Sequence, residues 1–122
     1  MQLSSHIQAI KTAWNIAGVP LYFQLAPETA QPPFAVFRLG SVTPGEQDNT
    51  TQDWETTAQL VILHTSDTAI TTAADSAVAL FERGNISGFY SSTVQSLELD
   101  ANYGDQQMLW QANLSVLLRW TV

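Results

Sequence analysis

Residues 107–122 alternate with a period of two, and this constrains the chain more than any other feature. The even positions are Met108, Trp110, Ala112, Leu114, Val116, Leu118, Trp120 and Val122. The odd positions are mostly polar, with Leu109 and Leu117 as exceptions. Strand side chains alternate faces, so every even residue falls on one apolar face; a helix would scatter them around its axis. The strand is longer than the usual five or six residues. A long strand with one wholly apolar face has to lie across the middle of a sheet that is covered on that side.

The remaining chain supplies a cover and neighbouring strands. Residues 4–17 read as a first helix, with Ile7, Ile10, Trp14 and Ala17 spaced by three and four, and Gly18 placed as a left-handed stop. The narrow apolar stripe places this helix on a surface. Residues 21–35 form a connection containing Pro27, Pro32 and Pro33, in which Leu21, Tyr22 and Phe23 make a short extended piece. A strand follows over 34–41. Residues 42–53 carry Pro44-Gly45, three acids and almost no apolar side chain, and read as a long, mobile hairpin loop. The second strand, 54–64, is apolar on both faces and therefore central. Ser66-Asp67 caps a second helix over 68–83, whose stripe is Ile70, Ala73, Ala74, Ala77, Val78 and Phe81. A third strand covers 91–100, and residues 101–105 turn into the alternating strand. The expectation is one α+β domain over 1–122. Its order is α-β-β-α-β-β, with an antiparallel or mixed four-stranded sheet and two helices packed on one face.

Charge narrows the function. Eleven acids face only Lys11, Arg38, Arg83 and Arg119, a net charge of -7. A nucleic-acid binder needs a basic footprint to displace counterions from phosphates, and an anionic membrane needs one too; neither is served here. Charged residues make up 12% of the chain, about half the usual ~25%. A surface covered in an assembly explains that as well as chance does. Without cysteine there is no disulfide framework and no Cys-ligated metal. Residues 1–20 contain no apolar core of signal-peptide length, and no aliphatic run approaches a membrane span.

Catalytic chemistry finds little support. His6 and His64 are the only imidazoles and read as ordinary surface or edge residues. No nucleophile elbow, dinucleotide fingerprint, P-loop or paired-histidine motif is present. Glu98 and Asp100 share a strand face, and Asp105 approaches across the turn, a set of oxygen ligands suited to magnesium or calcium. The plainer reading is a solvated hairpin end. Trp54 sits where the acidic segment becomes strand, and an aromatic there serves either as core or as a partner's anchor. With Glu46, Asp48 and Asp53 it forms the candidate protein interface. No cofactor is expected.

The order of elements resembles the phage tail terminator and tail completion proteins. The resemblance is carried by the N-terminal helix, the run Pro32-Pro33-Phe34-Ala35-Val36-Phe37-Arg38, the strand from Ala58 to Thr65, the alanine-rich helix from Ala69 to Phe81, and the closing strand from Gln106. It covers roughly residues 3–122 and rests on pattern and order. It implies a non-enzymatic structural protein of the virion, assembled in the host cytoplasm. The implied state is a homohexameric ring at the head-proximal end of the tail, touching tail tube protein on one side and the head-tail connector on the other, with DNA passing through. Many relatives have a basic closing strand; here Arg119 is the one base near the end. A neck or head-completion connector is the first alternative reading, and a small metal-dependent enzyme using Glu98, Asp100 and Asp105 the second.

Overall fold

A computed structural model describes residues 3–16, 18–47, 52–82, 86, 88–103 and 108–121. Its elements run α1 (Leu3–Ala13), β1 (Leu21–Phe23), β2 (Phe34–Leu39), β3 (Thr43–Gln47), β4 (Gln52–His64), α2 (Asp67–Glu82), β5 (Ser91–Tyr103) and β6 (Met108–Thr121). Among the described residues the sheet has six strands, ordered β1-β2-β4-β6-β5, with β3 also paired to β4. Only β1 with β2 is parallel. The α+β class and the two helices on one face are as expected; the count of four strands is not.

β6 is the long central strand that its alternation demanded. It lies between β4 and β5, with Leu114 opposite Leu60 on one side and Leu97 on the other. Ala112, Leu114, Val116, Leu118 and Trp120 are all buried, and Trp110 is half-buried against the same core. Paired residues share a face, so β4 contributes Ala58, Leu60 and Ile62 to this side and β2 contributes Ala35 and Phe37. Ile70, Ala73, Ala74, Ala77 and Phe81 of α2 and Ile10 of α1 close over them. Alanine brings the helix axis close to the sheet, and Ile70 and Phe81 add large side chains to those of the strands. The second large residue that α2 buries, Leu80, lies outside the stripe expected for that helix.

The two additional strands have separate causes. β1 is the short extended piece at residues 21–23, held parallel to β2 by the register Leu21 to Ala35. β3 overturns the reading of residues 42–53 as one long loop. Thr43 and Pro44 pair with Glu55 and Trp54, and Gln47 pairs with Gln52, across a bulge. β2 occupies the edge of β4 at residues 58–63, and β3 occupies the same edge at 52–55. Between them the chain kinks at Gly40, whose N–H donates to the Thr57 carbonyl at 2.9 Å. A Cβ there would lie 3.1 Å from that carbonyl oxygen. Pro44 is tolerated because β3 is an edge strand and needs no N–H on its outer side.

α1 also departs from expectation, ending at Ala13 and not at 17. The Trp14 indole N–H donates to the Val19 carbonyl at 2.7 Å and the Val19 N–H to the Ile16 carbonyl at 3.2 Å. These bonds fold the chain back around Gly18, which takes φ 76° as a left-handed stop. α2 begins one residue earlier than its pattern suggested, and Ser66 caps it by accepting the Ala69 N–H at 3.3 Å. Ser66→Ala should therefore cost about 0.5–2 kcal/mol in a urea titration; no change in midpoint would mean that the cap is idle.

Candidate interaction surface

Asp53, Glu55, Arg119 and Thr121 occupy the face of the sheet opposite the helices, because they pair as Asp53 with Thr121 and Glu55 with Arg119. Asp53 accepts hydrogen bonds from the Tyr90 hydroxyl at 3.0 Å and the Thr121 hydroxyl at 3.1 Å. The Arg119 Nε donates to Glu55 at 3.2 Å, an ion pair open to solvent. With Gly45 and the strand at Trp54 these residues border an open cleft of about 680 Å³. Tyr90 is 57% exposed at its rim. The cleft offers hydrogen-bonding groups of both signs on a rigid strand floor, suited to a polar contact with another protein.

Of the expected interface residues Glu46, Asp48, Asp53 and Trp54, the two whose side chains are described take opposite faces of the sheet. Trp54 pairs with Trp120 and shares its side of the sheet, half-buried, whereas Asp53 takes the other side. Glu46 lies in β3. Asp48 is outside the described residues. Asp53 instead joins Tyr90, Glu55, Arg119 and Thr121, of which sequence reasoning singled out only Arg119. Their meeting depends on the register of β4 on β6, which no local pattern encodes.

The two histidines also fall differently from one another. His6 is buried, a correction to its reading as a surface residue. Its ring lies 5.0 Å from both Phe89 and Trp120, and Nε2 is 3.2 Å from the Gly88 carbonyl. It is a packing element that fastens α1 to the end of β6. His64 is half-buried at the end of β4, where its Nδ1 accepts the Thr65 N–H at 2.9 Å. Glu98 and Asp100 share the open face through pairing with Asn113 and Gln111, and both are exposed. Asp105 lies outside the described residues. Among the described residues no three His, Asp or Glu side chains gather as a metal ion would require, and no helix is long and apolar enough to cross a membrane.

The fold has a counterpart in a solved virion. It is similar to a chain in the virion of a native gene transfer agent particle, with a TM-score of 0.55 and 12% identity, over 96% of this chain and 84% of that one. At that identity the likeness concerns the fold. No protein-family model and no curated protein matches the sequence.

Proposed function

We propose that this protein is a structural subunit of a bacteriophage virion, without enzymatic activity. In this reading it forms a homohexameric ring that closes the head-proximal end of the tail tube and presents the attachment surface for the head. The observation that carries the reading is the fold shared with a virion chain along nearly the whole length. The order of elements, the low charge density and the scarcity of catalytic groupings agree with it. A ring of repeated subunits needs two different surfaces on each copy and a rotation that closes. An acidic protein lining the bore would repel DNA phosphates and let the genome pass without sticking.

The segment from Glu46 through Asp48 to Asp53 and Trp54 serves here as the contact to the tail tube. The pairing of Gln47 with Gln52 fixes its root on the sheet. Glu46→Ser with Asp48→Ser removes both carboxylates, and a urea titration checks that the subunit still folds. The same pair should weaken binding to tail tubes in a co-sedimentation assay. Undiminished binding would remove this segment from the contact.

The deciding experiment is electron microscopy of tail tubes incubated with the protein. Rings seated on one end of the tube are expected. Rings seated only on the portal-side connector would move the protein to the neck, and bare tubes together with bare connectors would overturn the virion assignment.

A further inference from the structure

The sheet has two dissimilar free ends. At one end β5 pairs only with β6 among the described residues, leaving thirteen residues of edge. A bulge between Val94 and Ser96 separates this strand into two parts. Before it, Ser92 donates to the Phe81 carbonyl and Val94 packs on the core. After it, residues 95–101 are all exposed, so the helices do not cover them. Leu97 and Leu99 share the helix-side face with Leu114 and Ala112, yet are 39% and 49% exposed. Glu98 and Asp100 stand on the opposite face.

Natural edge strands are usually blunted by lysine, proline or brevity. This one has neither residue type and is long; its bulge lies near its start and its two acids stand on one face, so the stretch beyond the bulge invites pairing. A symmetric β5–β5 pairing would gather the carboxylates of Glu98 and Asp100 from two copies on one face, and like charges opposite one another destabilise a sheet. The far end of the sheet has the complementary character. There Leu25, two residues past β1, is 76% exposed, the most exposed large hydrophobic residue among those described. Beside it the Arg38 Nε donates to the Gln24 carbonyl at 3.1 Å. Arg38 is exposed and, by alternation from buried Ala35 and Phe37, lies on the same open face as Glu98 and Asp100.

We propose that copies of this chain join head to tail, the β5 edge carrying Leu97 and Leu99 of one copy meeting the β1 corner carrying Leu25 and Arg38 of the next. The occupant is a second copy because each end supplies what the other lacks: an apolar patch for an apolar knob, and carboxylates for a guanidinium. The contact is heterologous, which is the type that closes into rings, and it deepens the ring reading on which it rests. The segment at Glu46 to Trp54 is then left for the tube.

The test uses two variants, each blocking one end, with molar mass read by light scattering. Leu97→Asp with Leu99→Asp blocks the β5 edge; Leu25→Asp with Arg38→Glu blocks the β1 corner. Each alone should remain at the 13.4 kDa of one chain. Mixed in equal amounts they should double that mass and go no further, since one intact contact remains between them. A corner variant that dimerises by itself would replace the proposal with a symmetric β5 contact. Variants that assemble like the original chain would overturn it.

Hydrogen exchange on the unaltered protein gives a reading independent of variant folding: amides in residues 95–101 should gain protection on assembly. Rings in which those amides stay unprotected would refute the edge contact and leave the ring standing. A chain that stays single at every concentration, and with tail tubes present, would take the ring down as well.

Discussion

Trp120→Ala is expected to cost about 3–5 kcal/mol of folding stability, the range for removing a large aromatic from a core. Trp120 is fully buried near the end of β6. The Phe89 ring meets it edge-on, 5.7 Å away at 86°, and the His6 ring lies against it. Such ring pairs add about 0.5–1.5 kcal/mol beyond the area they bury. Three distant parts of the chain meet at this indole: the first turn of α1, the approach to β5, and the end of β6. Urea unfolding checks the value, and Arg119→Ala, the neighbouring residue in a solvent-open ion pair, provides the control at under about 1 kcal/mol. Equal losses at both positions would mean that the faces of β6 are wrongly assigned.

Leu114→Ala should cost about 2–5 kcal/mol. Leu114 is buried at the middle of β6, between Leu60 and Leu97 in the register of the sheet. The α2 residues in the same core include Ala73, Ala74 and Ala77, whose side chains are already as short as they can be. A helix that already sits close has little room to settle into the new space, so the upper half of the range is expected. Ser115→Ala, one residue along and on the other face, removes bonds to Gln59 and Gln95 that are open to water and should cost under about 1 kcal/mol. The contrast between adjacent residues measures the alternation directly.

That alternation was legible because period is a local property. It placed β6, as the helical period placed α2, and Ala112, Leu114, Val116, Leu118 and Trp120 close the core with Trp110 half-buried beside them; the side chains of Met108 and Val122 lie outside the described residues. Register is not local. Asp53 meets Thr121, 68 positions away, and Tyr90, 37 positions away, only after β4 has settled on β6 and β5 has been delivered beside it. Nothing near Asp53 in sequence signals those partners.

β3 was obscured for a different reason. Pro44-Gly45 and the polar residues after it have turn chemistry, yet the backbone groups at the start of β4 need partners on that edge, and β3 provides them. His6 was misread because a polar residue in a first helical turn is usually solvated; its burial is decided by Gly88 and Phe89, which arrive from the far end of the molecule. The exposed leucines of β5 look like core residues in sequence, since they alternate as core residues do. Their exposure shows only in the folded chain.

The most direct test of the account is the molar mass of the unaltered protein in solution, by light scattering across a range of concentrations and again with tail tubes present. A closed ring of six subunits of 13.4 kDa, about 80 kDa in total, is the expected result. A constant 13.4 kDa under both conditions would contradict it.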